Sequence, residues 1–226
     1  MKVLFLGNSY TYFNDLPAMV QWMADQIGCD LQTDSVTRGG AYLHQFADPA
    51  DGLYATWTEK YRSSTWDAVV CQNQSFHPVK EPAAFRQAAV DVQALCQPGQ
   101  KFYFYQTWAY QYGSEKLAAT GLAYAEMLEK MVKSYAGAAE AVGGGIVPVG
   151  EAFAQVRDTY PEIVMYNPDG SHPSPAGTYL AACLFLAMFA EYSPLNFPIP
   201  EGVSVEEGEK LRAAAAKWFQ KTRQIC

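Results

Sequence analysis

The chain has 226 residues, half of them hydrophobic, and its 16 Lys and Arg against 23 Asp and Glu leave a formal net charge of −7. That length and apolar content suit one α/β domain spanning residues 1–226. The acidic balance argues against a nucleic-acid partner, which needs clustered Lys and Arg, and the longest late apolar run, residues 180–190, is far short of the roughly 20 residues a membrane span requires.

The first apolar run predicts a strand over Lys2–Leu6. It stops at Gly7 with no small-residue cleavage site, so it does not read as a signal peptide. The expected location is the cytoplasm, or outside the cell if a signal peptide has been trimmed. A tight Gly7-Asn8-Ser9-Tyr10-Thr11 turn follows, then a helix over Leu16–Ile27 and a strand over Asp30–Val36 ending in Thr37-Arg38-Gly39-Gly40-Ala41. Residues 43–66, rich in Tyr, Trp, Asp and Pro, predict a short helix and surface loops. The pattern continues with a strand over Asp67–Cys71, the carboxamide cluster Gln72-Asn73-Gln74-Ser75, a helix over Pro82–Leu95 and a strand over Lys101–Gln106. After a stretch holding Trp108, Tyr110 and Tyr112 comes a helix over Glu115–Val142, stopped by Gly143-Gly144-Gly145, and a fifth strand over Ile146–Val149. Helices over Pro175–Glu191 and Val205–Arg223 close the chain. Strands alternating with helical crossovers predict a three-layer α/β/α sandwich on a five-stranded parallel sheet. Five cysteines (Cys29, Cys71, Cys96, Cys183, Cys226), odd in number and without a C-x-x-C pair, read as free thiols of a reducing compartment.

In an open parallel sheet, ligands bind outside the carboxyl ends of the strands. Ser9 lies there, as a candidate nucleophile or as part of a helix cap or phosphate cradle. Gly39-Gly40 supplies a backbone with positive φ or close approach, for an oxyanion or for an ordinary turn. The carboxamides offer fixed dipoles suited to an oxyanion, or a hydrogen-bonded loop. In Asn167-Pro168-Asp169-Gly170-Ser171-His172-Pro173, Asp169 can accept from the His172 ring and leave its far nitrogen free to take a hydroxyl proton, or the pair is an Asx turn with a surface histidine. Neither His44 nor His77 has an acidic neighbour at that spacing, so His172 is the candidate base. His77 lines the pocket or is a satisfied loop histidine. No H-x-H, H-E-x-x-H or cysteine-pair spacing exists, so no metal and no organic cofactor are expected.

Taken in order, these blocks resemble the SGNH (GDSL-type) hydrolase superfamily. Gly7-Asn8-Ser9 matches the serine block with Asn for Asp, Gly40 the glycine block, and Asp169 and His172 the acid-base block. The third block, Gly-x-Asn-Asp in the family, aligns with Gln72-Asn73-Gln74-Ser75. That places Gln74 at the oxyanion position, or Asn73 if the register slips by one. The resemblance implies a flavodoxin-like fold, a Ser9-His172-Asp169 triad, an oxyanion hole from the Ser9 and Gly40 N–H groups plus one carboxamide, and a small-molecule ester substrate. Asn8, His77 and Trp108 are the expected substrate contacts, and aromatics after the fourth strand suit an acetyl or short-acyl carbohydrate ester. The rivals are a non-catalytic flavodoxin-like module binding phosphate or flavin, and an inactive carbohydrate-binding protein. Oligomeric state is not legible.

Overall fold

The structure, a computed structural model, describes residues 1–223, so Cys226 lies outside the described residues. In chain order the elements are β1 (Lys2–Gly7), α1 (Ser9–Tyr12), α2 (Leu16–Gln26), β2 (Gln32–Thr37), α3 (Gly52–Arg62), β3 (Ala68–Cys71), α4 (His77–Lys80) and α5 (Pro82–Gln93). They continue with β4 (Lys101–Tyr105), α6 (Glu115–Ala118), α7 (Tyr124–Val142), β5 (Gly145–Val147), α8 (Val149–Thr159), α9 (Pro175–Ala190) and α10 (Val205–Arg223). The strands form one sheet in the order β2-β1-β3-β4-β5, every pair parallel. This is the flavodoxin-like arrangement, and all five carboxyl ends meet at one edge.

The inner strands are apolar on both faces because helices cover both. On one side Val3, Phe5 and Val70 pack with α2, α8, α9 and α10. On the other, Leu4, Leu6, Val69 and Cys71 pack with α3, α5 and α7. Helix α9 shows no polar stripe, and every residue from Ala176 to Ala187 is buried. Its Phe185 meets Phe5 and Tyr105 edge-on, with ring centroids 5.2 and 5.1 Å apart. Truncating a buried aromatic of this kind to Ala costs about 3–5 kcal/mol.

Three departures from the sequence reading have local causes. The expected helix over Glu115–Val142 is two helices, α6 and α7, because Gly121 adopts φ +71° between them. The fifth strand ends at Val147, and Val149 opens α8, a helix the sequence did not suggest. Residues 43–66 include α3, and they are less superficial than expected: Phe46 and Trp57 are fully buried, with the Trp57 indole N–H donating to Phe46 O at 2.5 Å.

Candidate active site

The turn after β1 is built by close approach. A Cβ at Gly7 would fall 2.7 Å from Gln72 Oε1 and closer still to Thr11 Oγ1, so only glycine fits. Asn8 then caps α1, its side-chain oxygen accepting from Tyr10 N at 3.1 Å, and Ser9 becomes the first helical residue. Three backbone N–H groups of the turn are engaged within the protein: Asn8 N donates to Gln72 Oε1, Tyr10 N to Asn8 Oδ1 and Thr11 N to Asn8 O.

The Asn167–Pro175 loop is equally determined by its residues. Asp169 Oδ1 accepts from the N–H groups of Ser171 and His172, both at 3.0 Å, which closes an Asx turn. Gly170 takes φ +65°, and a Cβ there would collide with Ser114. Ser174 caps α9 through Gly177 N, with Pro175 in its first turn.

These two pieces bring the candidate triad together. His172 Nε2 lies 2.8 Å from Ser9 Oγ, and His172 Nδ1 lies 2.5 Å from Asp169 Oδ2. With the Nδ1–H donating to the carboxylate, Nε2 presents its lone pair to the Ser9 hydroxyl. Burial pushes the Asp169 carboxyl up, but hydrogen bonds from the His172 ring and from the His172 and Ser171 backbone outweigh it and hold the group below its ordinary value. A carboxylate lowered in the fold stabilises it above the ordinary carboxylate range, and that contribution is lost as pH falls through the lowered value.

Aromatic rings hold the His172 ring in place. Phe13 stacks on the imidazole at 4.2 Å between centroids, and Tyr10 meets it edge-on at 5.5 Å. Phe13 is followed by Asn14 and Asp15, two non-glycine residues with positive φ (51° and 50°), a conformation that costs free energy and is held from outside. Asn14 Nδ2 donates to Pro173 O at 3.1 Å and to Thr178 Oγ1 at 2.9 Å, tying this bend to the His172 loop and α9. No sequence signal pointed to Phe13 or Asn14, since the pairing is made across the fold.

Trp108 corrects the sequence reading. It has no exposed surface, and its ring lies between Tyr10 at 4.8 Å and Phe153 at 4.0 Å while its indole N–H donates to Ser171 O at 2.9 Å. The chain after β4 runs inward beneath the His172 loop, so Trp108 supports that loop and does not reach substrate. Tyr110 is also buried, and of the three aromatics only Tyr112 is exposed.

The opposite wall comes from β2 and β3. Gly40 adopts φ +68°, and no atom crowds its would-be Cβ, so the requirement is conformational. The loop is braced by Arg38, which donates to both Asp51 oxygens at 2.7 and 2.8 Å. The Arg38 hydrogen bond, helped by the Leu53 N–H, lowers the Asp51 carboxyl to about 2. Gln74 faces the cleft, with its oxygen accepting from Phe76 N and His77 N at 2.9 Å and its Nε2 directed to Ser75 Oγ at 3.3 Å. Asn73 is fully buried, and its amide donates to His77 Nδ1 at 2.9 Å, away from the cleft. His77 packs edge-on against Tyr42 at 4.9 Å and is not among the residues that line the cleft at Ser9, unlike the sequence expectation. Burial, then the neighbouring His44, lowers its pKa and keeps the ring neutral as an acceptor.

Ser9, His172, Gly40, Gln74, Asn8 and Lys116 line a cleft of about 210 Å³. An adjoining depression of about 400 Å³ shares Lys116 and carries Gln111, Tyr112 and Asp169. A larger groove of about 590 Å³ lies at the opposite end of the sheet, near Lys101 and Trp218, and its lining has no serine, cysteine or histidine. Among the described residues no group of three or more His, Cys, Asp or Glu could hold a metal ion, and no helix is long and apolar enough to cross a membrane.

Known structures share this architecture. A proposed SGNH hydrolase from Slackia heliotrinireducens is 30% identical, with a TM-score of 0.70 over 84% of this chain and 98% of its own. A DUF4886 family protein from Bacteroides uniformis superposes with a TM-score of 0.83 at 19% identity, over 97% of this chain and 95% of its own. The acetyl xylan esterase AlAXEase superposes with a TM-score of 0.65 at 14% identity, over 83% of this chain and 99% of its own. At those lower identities the likeness is one of fold. No family model and no curated protein matches the chain.

Proposed function

The chain belongs to the SGNH hydrolases, the GDSL-type carboxylic ester hydrolases, and on that premise we propose that it cleaves esters through an acyl-enzyme on Ser9. The observation that carries the reading is the continuous Ser9-His172-Asp169 hydrogen-bond chain at the carboxyl edge of the sheet. His172 takes the Ser9 proton as Oγ attacks the carbonyl, then gives it to the departing alcohol. Water attacks the acyl-enzyme with the same base and restores Ser9. Asp169 stays ionised and fixes the tautomer. The oxyanion is stabilised by the Ser9 and Gly40 N–H groups and by Gln74 Nε2.

Between the two carboxamides, the geometry favours Gln74. Asn73 spends its amide on His77, whereas the Gln74 amide reaches the cleft and holds only a long bond to Ser75. Loss of one oxyanion donor costs on the order of 3–4 kcal/mol in the transition state, so Gln74→Ala should lower kcat by about 10²–10³-fold with KM little changed. A kinetic comparison with Asn73→Ala decides the matter. A loss confined to the Asn73 variant would transfer the role one residue back.

A cleft of about 210 Å³ suits a short acyl group. The adjoining depression, with exposed Tyr112 beside Gln111 and Lys116, suits a hydroxylated alcohol, and the fold shared with an acetyl xylan esterase supports an acetylated carbohydrate. Turnover should therefore fall from acetyl to butyryl to longer aryl esters, with acetylated xylo-oligosaccharides accepted. A preference for long chains would count against the short-acyl reading, and no turnover of any ester would remove the esterase reading.

A further inference from the structure

We propose that Gln72 is a positioning residue that keeps the three oxyanion-donor loops in mutual register, an inference that rests on the esterase reading above. Gln72 stands where the family block Gly-x-Asn-Asp has its glycine, and it is almost wholly buried, so it does not touch substrate. Its backbone N–H extends the β1–β3 pairing by donating to Leu6 O at 2.9 Å. Its side-chain oxygen accepts from Asn8 N at 2.9 Å and from Thr11 Oγ1 at 3.1 Å, which grips both ends of the Ser9 turn. Its Nε2 donates to Asn73 O, fixing the peptide that precedes Gln74. Asn8 carries the connection onward, since its Nδ2 donates to Ala41 O at 3.0 Å, next to Gly40.

One buried carboxamide thus binds the loops after β1 and β3 directly and the loop after β2 through Asn8. Gly7 completes the fit, because any larger residue would occupy the space of the Gln72 oxygen. Displacement of reacting groups by about 1 Å costs on the order of 10²-fold in rate. Gln72→Met keeps length and apolar volume but removes the acceptor, so it should lower kcat by about 10²-fold while KM stays within about 2-fold. Gln72→Glu is the conservative partner. Burial keeps its carboxyl protonated, so the C=O accepts from Asn8 and Thr11 while the O–H donates to Asn73 O, and most of kcat should return.

Both variants are measured per active site, counted by fluorophosphonate titration of Ser9, so that a misfolded fraction does not enter kcat. Combined with Gln74→Ala, Gln72→Met should cost less than the product of the single losses, because the part of its effect that runs through the Asn73–Gln74 peptide is already lost while the part that runs through the Ser9 turn remains. A Gln72→Met enzyme within about 2-fold of wild type, a Gln72→Glu enzyme as slow as Gln72→Met, or fully multiplicative losses would each overturn the proposal. Absence of Ser9-dependent turnover in the wild type would remove the esterase reading, and this inference with it. A wild type that turns over beside an equally active Gln72→Met removes only the inference.

Discussion

Ser9→Ala is expected to lower kcat for ester hydrolysis by on the order of 10⁶-fold and to abolish covalent labelling by a fluorophosphonate. The physical basis is specific to this serine. Of the cleft serines, Ser9 alone has its hydroxyl on the imidazole, at 2.8 Å from His172 Nε2. Ser75 Oγ pairs with the Tyr110 hydroxyl at 2.9 Å, and Ser171 Oγ pairs with that of Tyr10 at 2.5 Å. Burial pushes the Tyr10 hydroxyl well above its ordinary pKa, so it remains a neutral partner and cannot serve as a base for Ser171 at ordinary pH. The Ala variant keeps the turn, because Gly7, Asn8 and Gln72 hold it without the Ser9 side chain. Its melting temperature should therefore stay close to wild type. An adduct on Ser75 or Ser171 in the Ala variant, with hydrolysis retained, would show that the nucleophile lies elsewhere.

Asp169→Asn is the second large effect, a loss of about 10⁴-fold in kcat with the fold preserved. An asparagine in this place can turn its amide N–H toward Nδ1, which then accepts and leaves Nε2 protonated. That is the wrong tautomer for taking the Ser9 proton. The Asx turn can persist through the side-chain carbonyl, so the circular dichroism spectrum should be unchanged. In the wild type, activity should rise with pH through one ionisation, since a protonated imidazole has no lone pair for the Ser9 proton. An Asp169→Asn enzyme with near-native kcat, or a wild-type rate independent of pH on the acid side, would remove Asp169 and His172 from these roles.

Much of the layout was legible because its signals are local. Each expected strand overlaps an observed one, since short apolar runs bounded by Gly, Asn or Asp can be little else in an alternating chain. Asp169 and His172 could be paired on paper because one turn contains both. The misses have a common physical origin. Val149 extends an apolar run, yet its backbone belongs to α8, and periodicity over three or four residues cannot separate a strand end from a helix start. Trp108 and Tyr112 look alike in sequence, but one lies under the His172 loop and the other faces solvent, a difference set by tertiary packing alone. The break at Gly121 was hidden because an isolated glycine inside a helical pattern is tolerated, as Gly137 is within α7. Gln72 was visible only as one carboxamide among three, and its separate connections appear only when the ends of β1 and β3 lie side by side.

The separation of the proposed catalytic groups along the chain bears on how the molecule acquires its chemistry. Asp169 and His172 form a local unit, whereas Ser9, the proposed nucleophile, is 163 positions from His172, and the Tyr10–Ser171 bond beside it spans 161. Closing so long a loop costs chain entropy before any contact repays it. The Asn14 bonds to Pro173 and Thr178 belong to the same closure, because they also join the first helices to the last third of the chain. Turnover therefore reports the docking of the two chain ends. A molecule in which these two segments had come apart would keep most of its secondary structure and lose the Ser9–His172 contact, and with it its activity.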